Sequence, residues 1–88
     1  MNKKRKMILK RLNRQLKNIE DSLRVVRAVK EALDEITKNA EEKKELTGAK
    51  ELDDILKDAK KGREKAIQQE EETLKLKEEA LKLKKELE

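Results

Sequence analysis

The chain has 88 residues, 51% of them charged, with 25 Lys or Arg against 20 Asp or Glu for a net charge of +5. It has no Phe, Tyr, Trp, His, Cys or Pro, and only two Gly. That length limits it to one small domain. That composition removes disulfides, thiolate and imidazole metal ligands, and the usual general base near pH 7.

The apolar residues number 30, of which 21 are Leu, Ile or Val and seven are Ala. They can fill a narrow aliphatic core. A chain this short needs very regular packing or association to be stable. Low hydrophobicity with high charge usually marks disorder. Here the charges nearly balance and the apolar residues are periodic. The composition therefore falls in the Ala/Glu/Lys/Leu/Arg-rich class of long helices and coiled coils.

The chain begins Met1-Asn2-Lys3-Lys4-Arg5-Lys6, which looks like the n-region of a signal peptide. Lys10, Arg11 and Arg14 interrupt the apolar residues that follow, so no h-region forms and no signal is expected. No run of about 18 apolar residues exists, so no transmembrane segment is expected and the chain reads as soluble. Lys3, Lys4, Arg5, Lys6, Lys10, Arg11, Arg14 and Lys17 make eight positive charges in 17 residues with no negative one. They are candidate contacts for phosphates of a nucleic acid. With Met7, Ile8, Leu9 and Leu12 among them, they also suit an anionic membrane. Against nucleic acid stands the lack of aromatics for base stacking. The favoured reading is a solvated helix face opposing an acidic partner helix.

The first predicted helix covers about 3–46. Leu9, Leu12, Leu16, Ile19, Leu23 and Val26 are spaced 3, 4, 3, 4, 3, slip once to Val29, and resume through Leu33, Ile36 and Ala40. This is an a/d-like alternation with one irregularity, where Val25, Ala28 and Ala32 widen the stripe. Glu20-Asp21-Ser22 lies just before the slip and is a candidate break.

A turn belongs between Ile36 and Leu46, or just beyond. Asn39-Ala40-Glu41-Glu42 looks like an N-cap with a capping-box Glu. Thr47-Gly48 offers Gly at a C′ position, where the left-handed conformation meets no Cβ clash.

The second predicted helix covers about 49–88. Its stripe runs from Leu46, Ala49, Leu52 and Ile55 through Ala66 and Ile67 to Leu81, Leu83 and Leu87. At 100° per residue it spans roughly 200° of the wheel. That is wider than a two-stranded seam requires.

Pairing selects the turn. A turn at Asn39 leaves residues 77–88 overhanging, with Leu81, Leu83 and Leu87 bare. A turn at 47–48 pairs residues whose numbers sum to about 95. Leu12 then faces Leu83, Leu16 faces Ala80, Ile19 faces Leu76, Val29 faces Ala66, Leu33 faces Gly62 and Ile36 faces Ala59, so large residues meet small ones down much of the interface. It also lays the basic start beside residues 70–88, which hold seven acidic and five basic residues. The prediction is a single all-α domain over 1–88, a long antiparallel helical hairpin with arms of about 60 Å. The wide stripes point to a homo-oligomer, most simply a two-fold dimer forming a four-helix bundle. A three-helix bundle, with a break near Asp21-Ser22 or Gly62, is the alternative.

Chemistry-bearing sites are few. Acidic pairs such as Asp53-Asp54 and Glu78-Glu79 diverge by about 100° on a helix and do not converge on a substrate. Ser22 has no base beside it. No catalytic, cofactor or metal site and no small-molecule substrate is expected. Gln69 and Thr73 fall on the apolar face, opposite Val26 and Leu23, where a polar residue can set register. Lys30 takes an a-like position with a stem that can snorkel.

The segments Lys30-Glu31-Ala32-Leu33-Asp34-Glu35-Ile36 and Leu74-Lys75-Leu76-Lys77-Glu78-Glu79-Ala80-Leu81-Lys82-Leu83-Lys84 resemble de novo designed helical bundles in style. Asn13, Asn18 and Asn39, the basic start and the stretch 58–69 depart from that style. The resemblance implies a helical bundle and transfers no functional residue. The functional expectation is a non-enzymatic helical scaffold acting by self-assembly or by binding a protein partner through a helix face. Nucleic-acid or anionic-membrane binding through 3–17 is the alternative.

Overall fold

The computed structural model describes residues 2–88, and Met1, the first residue of the expected domain, lies outside them. Helix α1 runs Asn2–Thr47 and helix α2 runs Glu51–Leu87. They lie side by side and antiparallel, so the protein is an all-α helical hairpin. Its extents are 69 × 14 × 14 Å. A helix of 46 residues at about 1.5 Å each accounts for that length.

The turn is built by Gly48. Among the described residues it alone has a positive φ, at 63°. Its N–H donates to the Lys44 carbonyl at 2.7 Å, which closes α1 with a left-handed cap. Thr47 adds its hydroxyl, which donates to the Lys43 carbonyl at 2.9 Å. Lys44 then reaches across the turn to Asp53. Helix α2 opens with Glu51, Asp53 and Asp54 in its first turn and closes with Lys84 and Lys85, both suited to the helix dipole. The capping signal at Asn39 is not used, because α1 passes straight through it. Asp21-Ser22 and Gly62 also lie within unbroken helix, so neither break of the three-helix alternative forms.

The α1 side of the seam has a strict alternation of three and four. On α1 the least exposed residues are Leu9, Leu12, Leu16, Ile19, Leu23, Val26, Lys30, Leu33, Thr37 and Ala40. The slip at Val29 thus leaves the seam in step, and polar residues fill it where the apolar stripe turns away. Thr37 and Thr73 are tolerated half-buried because each hydroxyl donates to the carbonyl four residues back, at 2.8 and 2.7 Å. The buried residues are Leu12, Leu23 and Ala40 of α1 with Leu52, Ala59, Ala66 and Ala80 of α2. Across the seam Leu16 falls level with Ala80 and Leu33 beside Gly62, whereas near the turn Ala40 falls level with Leu56, so a large side chain meets a small one at these points. This keeps the axes close.

Register is read from the cross-helix pairs. Asp34–Arg63, Arg27–Glu70, Glu20–Lys77 and Lys44–Asp53 each sum to 97. Leu33 lies over Gly62, where an added Cβ would come within 3.3 Å of Leu33 Cδ1. That neighbour is the free end of a half-buried side chain and can yield by a few tenths of an ångström. Gly62→Ala is therefore expected to raise stability, by up to about 1 kcal/mol from helix propensity. A thermal melt at fixed protein concentration checks this, and a lowered midpoint would show that Leu33 is locked.

Candidate interaction surfaces

A two-helix layer leaves two edges of its seam facing solvent. Every seventh residue of a helix falls on the same edge, so each edge can be read from the chain. One edge carries Asn13, Glu20, Arg27 and Asp34 of α1. The other carries Ile8, Gln15, Ser22, Val29 and Ile36 of α1 with Ile55, Gly62, Gln69, Leu76 and Leu83 of α2.

The first edge is laced with charge. Arg63 Nε lies 3.0 Å from Asp34 Oδ1, and Lys77 Nζ lies 3.9 Å from Glu20 Oε1. Glu70 takes two cations, Arg27 Nε and Lys30 Nζ, each at 3.4 Å. The Glu70 side chain is 18% exposed, less than any other ion-paired group here. These pairs lie between helices and close this edge, although exposed pairs of this kind contribute only tenths of a kcal/mol each. A groove of about 490 Å³ on this side is lined mainly by Glu20, Arg24, Arg27, Glu31 and Lys77. Ile67, Leu74 and Leu81 of α2 also border this edge. The α1 residues across from them are polar, so no continuous apolar surface forms there.

The second edge is open and apolar. Val29, Ile36, Ile55, Leu76 and Leu83 are each about half exposed, at 45–55%. Val25, one turn from Val29, widens the strip at 62%. A groove of about 390 Å³ runs between Leu12, Gln15 and Ile19 on one side and Leu76, Ala80 and Leu83 on the other. Leu12 and Ile19 thus reach this groove from the seam, whereas Leu83 and Leu76, expected to face them, stand half exposed on its outer side. Gln15, Ser22, Gly62 and Gln69 alternate with these residues, so the exposed apolar side chains form an interrupted strip; monomeric proteins seldom expose large contiguous apolar patches.

The predicted register residues are placed as follows. Gln69 is exposed on the open edge. The seam position near Val26 and Lys30 is taken instead by Glu70, one residue on. The Thr73 hydroxyl is held by the Gln69 carbonyl within its own helix.

The eight N-terminal cations are all exposed. Lys3, Lys4, Lys10, Arg11, Arg14 and Lys17 lie on the outward half of α1. Arg5 and Lys6 are on the seam side, past the end of α2 in this register. Among the described residues none of the eight is within 4.0 Å of a carboxylate. The basic face does not oppose the acidic tail as the sequence suggests; the two segments are neighbours, but the cations turn away from the seam. Seven-residue periodicity, applied to the seam rather than to the apolar residues, is the signal that places them. Among the described residues no cluster of three or more acidic groups is arranged to hold a metal ion, and no helix is long and apolar enough to cross a membrane.

Compared with family models, with curated proteins and with solved structures, the chain matches none.

Proposed function

We propose that the protein is a non-enzymatic helical scaffold that works by self-assembly through its open apolar edge. The observation that carries this reading is the half-exposed strip of Val29, Ile36, Ile55, Leu76 and Leu83. Burying such side chains contributes on the order of 1.5–3 kcal/mol each when complete. The hairpin alone leaves about half of that unused. The opposite edge, closed by ion pairs, directs association to one side. The stylistic likeness to designed helical bundles points the same way.

Sedimentation equilibrium of the full chain tests the reading. Association is expected to give a mass above the 10.3 kDa of one chain. The double variant Ile36→Lys, Ile55→Lys is expected to return the mass to that of one chain while circular dichroism stays helical. A wild-type protein that remains one chain at every concentration reached would sink self-assembly. It would leave a different helical protein as the occupant.

The outward cations favour a second reading, contact with a polyanion through residues 3–17. Six of the eight lie together on a face that nothing in the hairpin covers. A low-salt mobility shift with duplex DNA checks it, since phosphate contacts weaken steeply with salt. Absence of a shift at low salt would end that reading for DNA.

A further inference from the structure

On the reading that residues 3–17 meet a polyanion, we infer that the polyanion is an anionic lipid bilayer, on which the basic end of the hairpin adsorbs with Met7 as its apolar anchor.

Charge along the rod is divided by level. In the observed register residues 2–17 of α1 lie beside residues 80–88 of α2. These two segments hold 11 basic and 2 acidic residues, whereas residues 18–79 hold 14 basic and 18 acidic. One end of a 69 Å rod therefore carries more than the whole net charge of +5, and the rest is negative. An anionic surface attracts the first part and repels the second, so it holds the protein by its termini.

The cationic face suits a plane. Lys3, Lys4, Lys10, Arg11, Arg14 and Lys17 extend along about 21 Å of α1 at 1.5 Å per residue. They fall within about 140° of its circumference at 100° per residue. Their side chains are long and flexible enough for one flat surface to meet all six. Among the described residues none of the six is within 4.0 Å of a carboxylate, so adsorption breaks no ion pair.

Met7 separates a bilayer from a nucleic acid. Its neighbours on the helix surface are the residues three and four away. These are Lys3, Lys4, Lys10 and Arg11, all cations. A side chain 64% exposed thus stands in the middle of the cationic face. Ile8, also exposed, follows it just past the end of α2. Duplex phosphates offer a thioether no apolar contact, and base stacking needs aromatic rings that the chain lacks. At a bilayer the cationic groups reach the lipid phosphates on their stems, while the apolar side chain between them enters the acyl boundary. Leu9 and Leu12, which the sequence offers for the same purpose, are turned into the seam. The contact is therefore shallow and mostly electrostatic.

Co-sedimentation of the full chain with lipid vesicles tests this. Vesicles of phosphatidylcholine and phosphatidylserine, about 70 to 30, are expected to carry the protein down. Vesicles of phosphatidylcholine alone are not. Each cation at an anionic surface is worth about a five-fold change in partition. Lys10→Gln with Arg14→Gln is therefore expected to weaken binding about 25-fold. Lys38→Gln with Lys61→Gln removes the same charge toward the turn and is expected to change binding less than about two-fold. Equal losses in the two pairs would overturn the assigned face. Met7→Ala is expected to weaken vesicle binding about three- to five-fold and to leave any shift of duplex DNA unchanged. Vesicle binding that ignores Met7→Ala would overturn the anchor. A protein that shifts DNA but ignores the serine-containing vesicles would overturn the bilayer and leave the polyanion reading standing. A protein that binds neither would overturn both.

Discussion

Shortening Leu23 to Ala is expected to lower the unfolding free energy by about 2–4 kcal/mol. Leu23 is 3% exposed, and the seam around it is one side chain deep. Its partners across the seam lie on α2 near Thr73, whose hydroxyl is fixed to its own backbone. A shorter side chain at 23 therefore leaves space that Thr73 cannot fill without breaking that hydrogen bond. The loss combines the transfer free energy of the removed methyl groups with the residual cavity. In a core this narrow it amounts to a large fraction of total stability. Urea denaturation at one fixed protein concentration checks the figure, since association makes stability concentration-dependent. Met7→Ala is the control. Met7 is 64% exposed on the back of α1, and its shortening is expected to stay within about 0.5 kcal/mol. Equal losses at the two sites would mean that the seam is not where the structure puts it.

The second large effect is expected at Gly48. Its φ of +63° is a region in which Cβ crowds the neighbouring carbonyl. An added Cβ would meet nothing else within 4 Å, so the cost is purely conformational. Gly48→Ala is expected to destabilise by about 1–2 kcal/mol. Gly48→Asn should cost less, because Asn enters the left-handed region more readily. Gly48→Val should cost the most, because a β-branched residue there is a true outlier. The order Gly, Asn, Ala, Val in denaturation midpoints is the readout. An Ala variant as stable as wild type would mean that the turn can be rebuilt without a left-handed residue. These two predictions probe separate links of one chain of cause. Leu23 tests the packing between helices, and Gly48 tests the local geometry that makes them antiparallel.

Much of the architecture was legible before the structure. The alternation from Leu9 to Val26 announces a helix, and Gly48 outranks Asn39 as the turn because only it lets both arms match in length. The pairing of Leu33 with Gly62 follows from that register. What periodicity could not choose was the buried arc of α2. Its apolar stripe covers more of the wheel than one neighbour can contact. Leu74, Leu76, Leu81 and Leu83 have as strong a claim to the seam as Ala66 and Ala80. Leucines on both helices would hold the axes apart, whereas alanines on α2 let the leucines of α1 approach. The seam therefore follows Ala59, Ala66 and Ala80, and the large residues are left on its edges. Glu70 was missed for the same reason. It looks like a surface carboxylate until rotation of α2 brings it between Arg27 and Lys30.

The amino-acid sequence by itself determined that this protein is helical, that it bends at Gly48, and how the two arms align to within about one residue, pairs summing to about 95 being expected and ion pairs summing to 97 being found, because these depend on backbone preference and on spacing along one chain. The tertiary structure decided which side of each helix is buried, which edge is closed by ion pairs, and that the eight N-terminal cations turn outward. Those depend on the rotation of α2 about its own axis. A wide apolar stripe leaves that rotation open, and the close approach of leucine to alanine settles it.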